Sequence, residues 1–382
     1  MKTPRNWVTR PLSQFVSLQR GFDLPTHARV PGSVPVLSSG GVNGSHNEAK
    51  VDGDNFVIGR ATNIGRPTWS SVPFWPLNTT LFVKDFLGNF PKFCFYWFLA
   101  TDLSGFDSGS VQPMLNRNYI ANIPVAIPSF VEQRRIAGVL GALDDKIESN
   151  LRTISLSESL ILAHFSSLFN SGHVSAGTAL SDLMDVNPRY SLKRESLAIK
   201  VSMQDIPSDF PVINTHAVMP VGAGSRFSNG DVLFARISPC LENGKTAIVD
   251  FLSSSEVGFG STEFIVLSPR GEISTTWIYA LARDPNFREV CRQAMSGSSG
   301  RQRLSADFFS RYTIATPKEF DLADFNKATM PLLTLMGARR DENQRLAQLR
   351  DALLPELMSG RMRVDEAGRL VSEALDEEVA DV

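Results

Sequence analysis

Arg60 and Arg236 carry the most suggestive chemistry in this 382-residue chain. Each ends a short apolar run and precedes a loop containing Gly and Asn. A guanidinium there can make a bidentate contact to a guanine edge or hold a phosphate. It can equally cap the carbonyls of its own loop or pair with a nearby acid. The following loops carry further candidates. Asn63 and Arg66 lie in ATNIGRPT, Glu242, Asn243 and Lys245 in LENGK, and Ser261, Thr262 and Glu263 in GSTEF. Asn suits adenine, Glu accepts from cytosine N4, and Lys suits guanine or phosphate. The alternative for Asn243-Gly244 is a tight turn that uses glycine at positive φ. Arg117 and Asn118, and roughly corresponding to them Arg301 and Arg303, sit in Gly/Ser-rich loops that suit backbone positioning or simple solvation.

Other chemistries find no support in the residue pattern. There is no G-x-x-x-x-G-K-[ST] phosphate loop, and the five histidines are scattered without an acid–base partner set. Asn187-Pro188-Arg189-Tyr190 faintly resembles an amino-methyltransferase loop. It lacks the second proline, and no Gly-rich cofactor turn precedes it. Cys94, Cys240 and Cys291 lack C-x-x-C spacing and read as three reduced thiols. FCFYWFLA (93–100) is too short to span a bilayer, and its aromatics read as core rather than as a base-stacking platform. With no signal-peptide core in MKTPRNWVTRPLSQF, a cytoplasmic protein is expected.

The elements that must position these residues occur twice. GSVQPMLNRNYIANIPVAIP (109–128) and GSSGRQRLSADFFSRYTIATP (297–317) each lead into a long helical pattern, closing at Ser171-Gly172 and Ser359-Gly360. Leu115 and Leu304 are 189 residues apart, as are Pro128 and Pro317, whereas Arg60 and Arg236 are 176 apart. A drifting offset means one architecture with different loop lengths. NFVIG (55–59), TTLFV (79–83), DVLFARI (231–237) and EFIVLSP (263–269) read as strands. PKFCFYWFLATDL (91–103) reads as a buried helix. STTWIYALARDPNFREVCRQAM (274–295) reads as a helix broken near Asp284-Pro285.

Between the modules, Ile136, Leu140, Leu143, Ile147, Leu151, Ile154, Ile161, Phe165 and Leu168 form one helical stripe. Leu332, Leu335, Leu346, Leu349, Leu353 and Leu357 form another, with a polar middle from Gly337 to Arg345. Pro331 starts or kinks the second helix, and Gly172 and Gly360 read as left-handed C-caps. Two such helices bury their stripes most economically against each other, antiparallel. The expected class is α+β: two mixed α/β modules in pseudo-twofold arrangement, separated by a coiled-coil spacer. The expected division is 1–128, spacer helix 129–172, 173–318, spacer helix 319–360 and a flexible acidic tail 361–382.

The net charge of −2 hides an asymmetry. Residues 1–128 carry +4, residues 177–318 carry +1, and residues 365–382 carry −6. Such modest positive charge implies reading of base edges, or charge borrowed from a partner, rather than phosphate contacts alone.

IPVAIPSFVEQRRIAGVLGALDDKIE (123–148) resembles the segment after the recognition domain in type I restriction–modification specificity subunits. ENQRLAQLRDALLPELMSGRMRV (342–364) resembles the C-terminal end of that family, and GDVLFARISPCLENGKTAIVD, FGSTEFIVLSP and GRATNIGRPTW resemble its recognition domains. The resemblance covers residues 7 to about 364. It implies a non-catalytic subunit that binds double-stranded DNA with a bipartite target, one half-site per target-recognition domain. It implies two modification subunits that methylate adenine N6 with S-adenosylmethionine, docked on the exposed polar faces of the helix pair. Restriction subunits that use ATP and Mg join where present, and no cofactor sits in this chain. Each spacer helix of about 40 residues, roughly 60 Å long, would act as a ruler for half-sites one or more DNA turns apart, at roughly 34–36 Å per turn. The competing expectation is a non-enzymatic coiled-coil adaptor that binds other proteins.

Overall fold

The computed structural model describes residues 6–106, 114–169, 171–193, 195–208, 210–214, 216–298 and 300–376. Met1–Lys146 with Leu346–Val382 form one compact unit, and Ile147–Arg345 form another. Each unit contains one module together with parts of both long helices.

The first module is built on a four-stranded antiparallel sheet in the order Ser17–Arg20, Thr80–Asp85, Asn55–Gly59, Pro67–Ser70. A smaller sheet sets Gly41–His46 against Val34–Ser38, which pairs in parallel with Trp75–Pro76. Pro91 opens the helix Pro91–Ala100, where its missing N–H costs no hydrogen bond. Phe93 to Phe98 are all buried, so the aromatic run is core, as the sequence suggests. Phe56 on the central strand is its hub, meeting Trp69, Phe86, Phe95 and Phe98.

The second module repeats the plan. Its main sheet runs Asp185–Val186, Phe264–Ser268, Val232–Ala235, Thr246–Ile248, antiparallel throughout. Its other sheet again combines an antiparallel hairpin, Leu197–Val201 with Ala217–Pro220, with a parallel pair to Val257–Gly260, and adds Arg226–Ser228. The 274–295 segment breaks where Pro285 requires, into Thr275–Arg283 and Pro285–Gln293. The Asp284 side chain caps the second piece by accepting from the Phe287 N–H.

The repeat extends to single hydrogen bonds. Leu12 N–H donates to Ile123 O, and Leu180 N–H to Tyr312 O. The Asn116 side chain accepts from Asn118 N–H, and Ser305 Oγ from Asp307 N–H, 189 residues on. This alignment corrects one correspondence. Arg117 and Asn118 match Ala306 and Asp307, whereas Arg301 and Arg303 precede Leu304 and match positions before Leu115. Gly109–Pro113 of the first copy lie outside the described residues.

The long helices are Phe130–Leu168 and Glu319–Met358. The second starts well before Pro331, which therefore lies inside it. Contacts within the units show antiparallel pairing. Arg350 donates to Asp144 at 3.0 Å, Asn150 to Asn343 at 2.9 Å, and His164 lies 3.5 Å from Asp324. Most of the first stripe is buried, but Leu151 is 40% exposed. Asn150 takes the inward position instead, because a strict spacing of apolar residues gives way here to a polar layer. In the second helix that layer includes the buried Arg340 and Glu342. Arg340 pairs with Asp250 and Asp341 and lies over the Phe251 ring. Gly337 makes room for this: a Cβ there would sit 3.0 Å from the Asp250 carboxylate.

The expected left-handed cap is present at Gly360, and two further expectations are corrected. Gly360 adopts φ +68°, with Arg361 N–H on Glu356 O and Gly360 N–H on Leu357 O, a Schellman end. Gly172 is not a left-handed cap: the helix stops at Leu168, and the chain enters the strand His173–Ala179. The acidic tail is also not a flexible segment throughout. Val364–Asp376 is a helix whose Ala367 and Val371, one turn apart, are buried, and Arg135 of the first long helix pairs with Asp365. Acidic composition obscured that apolar stripe.

Arg340→Met should lower stability by about 3 kcal/mol or more, because it leaves the Asp250 carboxylate buried without its partner. Chemical denaturation of the variant against the parent chain measures this.

Candidate nucleic-acid interface

Arg60 directly follows the strand Asn55–Gly59. Its N–H donates to Thr79 O, and its carbonyl accepts from Leu115 N–H. Its guanidinium then ties the same segments together, Nη1 donating to Asn78 O at 3.0 Å and Nε to Leu115 O at 3.3 Å. Burial, and after it the neighbouring Arg20, lowers its pKa, yet a guanidinium stays charged at neutral pH. Arg60 is thus a strut between distant segments, where the sequence reading offered its own loop or a nearby acid, and it still lines a cleft of about 740 Å³. Arg20, Asp23, Asn116, Arg117 and Asn118 line that cleft with it. Three arginines against one aspartate make it cationic, and Asp23 is already engaged by the Asn78 amide. Arg117 donates to Leu18 O at 3.0 Å.

Asn63 and Arg66 do not line this cleft. Asn63 adopts φ +49° and gives its amide to Ser39 O at 3.1 Å, while its carbonyl accepts from Arg66 N–H. Gly59 is forced by the same turn: a Cβ there would lie 2.3 Å from Asn63 O. Arg66 is exposed, near enough to Asp102 to help hold that carboxyl below its ordinary pKa, after the hydrogen bonds from Ser104.

The second module sets Arg236 in the same backbone position. Its N–H donates to Glu263 O and its carbonyl accepts from Leu304 N–H. Beside it, Arg303 forms a forked pair with Glu263 at 2.7–3.0 Å. That hydrogen bonding, with the charges of Arg303 and Arg236, holds the Glu263 carboxyl below its usual pKa against the opposing effect of burial. Ser261 Oγ accepts from Glu263 N–H and so shapes the turn. Thr262 and Arg301 are exposed at its rim.

The loop between Val232–Ala235 and Thr246–Ile248 holds the remaining candidates. Glu242 accepts from Ser238 Oγ, and Lys245 Nζ donates to Met203 O at 2.8 Å. Asn243 is exposed, and the left-handed residue of the turn is Gly244 at φ +73°. Arg20, Asn78 and Asn116 escaped the sequence reading. Arg20 ends an unremarkable strand, SLQR, and only long-range pairing brings it beside Arg60. Among the described residues no group of three or more His, Cys, Asp or Glu could hold a metal ion. Among them, too, no helix is long and apolar enough to cross a membrane.

Residues 4–155 match the family described as the type I restriction modification DNA specificity domain. The specificity subunit of the Escherichia coli type I restriction enzyme EcoAI is 30% identical over 37% of this chain and 25% of its own length. The EcoEI subunit, also from Escherichia coli, is 29% identical over 38% of this chain and 25% of its own. The chain thus spans about a quarter of these relatives. The MjaIX specificity subunit of Methanocaldococcus jannaschii is 22% identical over 76% of this chain and 74% of its own. The chain is thus similar to type I restriction–modification specificity subunits, with the family match confined to residues 4–155. The crystal structure of a type I S subunit from M. genitalium shares the fold, with a TM-score of 0.58 at 15% identity over 94% of this chain and 98% of that one. The α+β plan with two long helices agrees with that fold.

Arg60→Ala should cost about 1–3 kcal/mol of stability, because the Asn78 and Leu115 carbonyls lose their donors. A thermal unfolding midpoint equal to that of the parent would show the strut to be idle.

Proposed function

We propose that this chain reads a bipartite sequence in double-stranded DNA, one half-site per module, and carries no catalytic centre of its own. The observation that carries the reading is the doubled arginine frame: Arg60 and Arg236 occupy the same hydrogen-bonded position in two modules with the same main-sheet order. Around each frame the exposed or half-exposed residues are those that contact bases and phosphates: Arg20, Arg117 and Asn118 in the first module, and Thr262, Arg301 and Arg303 in the second. The modest charge fits a reader that works beside other subunits. Two modification subunits using S-adenosylmethionine would methylate adenine N6, with restriction subunits using ATP and Mg where present. The helix pair would dock them and set the gap between half-sites.

The deciding experiment is sequencing of N6-methyladenine in the host genome with and without the gene. A bipartite motif that vanishes on deletion supports the proposal. If no motif depends on the gene and no duplex binds in a salt-dependent way, a protein-binding adaptor takes its place. With the target known, Arg20→Ala and Arg117→Ala should each weaken binding and reduce the slope of log affinity against log salt by about 1 if they contact phosphate. Arg301→Ala should act at the second half-site alone. A single substitution that degrades both half-sites equally would sink the two-reader scheme.

A further inference from the structure

The loop Ser238–Lys245 of the second module is held from behind by two arginines that the sequence reading left aside. Arg283 Nη1 donates to Gly244 O at 3.0 Å and to Ser208 O at 2.8 Å. Arg288 Nη2 donates to the Glu242 carbonyl and, more weakly, to Leu241 O at 3.5 Å. Three consecutive-turn carbonyls of one loop are therefore captured by guanidinium groups. Gly244 is required by the same contact: a Cβ at its φ of +73° would lie 2.8–3.0 Å from the Arg288 guanidinium. Lys245, reaching Met203 O, closes the staple on the neighbouring 203–208 turn.

Arg283 is itself fixed from the long helix. Its Nε lies 3.3 Å from Glu158 Oε1, with the two side chains 13% and 9% exposed. The same oxygen accepts the Tyr279 hydroxyl, a phenol that burial pushes up and that therefore keeps its proton. A flat guanidinium can serve Glu158, Ser208 and Gly244 at once, whereas an ammonium offers a single point.

We propose that Arg283, anchored by Glu158, is a positioning residue for second-half-site specificity: it sets the conformation of Ser238–Lys245 without touching DNA. The proposal rests on the DNA-reading function proposed above. Base preference depends on loop conformation, so a buried residue that dictates the conformation governs preference as surely as one that touches a base.

The test compares bound sequences selected from a duplex pool by the parent subunit, Arg283→Met and Arg283→Lys, each assembled with its modification subunits, alongside thermal unfolding. Arg283→Met should lose both stability and second-half-site discrimination. Arg283→Lys keeps a charge opposite Glu158, so stability should largely return while second-half-site discrimination stays reduced by about tenfold. The first half-site should be unchanged in both. Discrimination that returns in step with stability in Arg283→Lys would make Arg283 merely structural and overturn the proposal. If the Arg283 variants do not fold, Glu158→Ala decides, since it removes the anchor of Arg283 from the long helix without altering any residue of the loop. A second-half-site loss supports the positioning role, and an unchanged preference rejects it. A parent subunit with no DNA preference would instead overturn the DNA-reading function itself, and the proposal with it.

Discussion

A single peptide unit, repeated, organises each module. At Arg60 and at Arg236 the chain leaves the central strand, donates to the turn before the next strand and accepts from the leucine of a distant loop. Those two backbone bonds join segments as far apart as residues 60 and 115, or 236 and 304. Without them the candidate residues would sit on independent loops, each with its own conformational entropy to lose on binding. Buried Leu115 and Leu304 reward the closure with apolar contact.

Given that shared frame, the modules satisfy their arginines differently. In the first, Arg60 spends its donors on carbonyls, and the charge of the cleft falls to Arg20 and Arg117. In the second, Arg236 Nε is buried without a partner among the described residues, while Arg303 is held by Glu263. One architecture therefore presents two different polar surfaces. The long helices show a comparable mixture. Apolar residues supply most of the buried stripe, and Asn150, Glu158 and Arg340 interrupt it with paired polar groups. Buried polar pairs of this kind stabilise little beyond an apolar core but make misaligned registers costly.

The duplication was legible in the sequence because it is written in spacing. The 189-residue offset of Leu115 and Leu304 reappears in their hydrogen bonds and in the capping pair Asn116 and Ser305. The strand NFVIG, the aromatic helix and the break at Pro285 were legible because local sterics and burial decide them. The site was less so. Glu263 and Arg303 are both plausible base readers in isolation, and only a contact across 40 residues reveals that they hold each other. Lys245 and Met203, or Arg60 and Asn78, carry the same lesson: a side chain's type states what it can bind, and tertiary neighbours decide whether it is already bound. The C-terminal helix was missed for another reason, since two buried residues one turn apart are a faint signal against dense acidic charge.

The staple behind Ser238–Lys245 also divides the second module's surface by tolerance to change. Gly244, Lys245 and Glu263 are each committed to an internal contact, so altering them disturbs the loop itself. Asn243, Thr262 and Arg301 are exposed beside them, and exposed positions of this kind change stability little when substituted. A lineage carrying this fold can therefore vary three surface positions while keeping its scaffold, and the rigidity of the loop's back is what frees its front to vary.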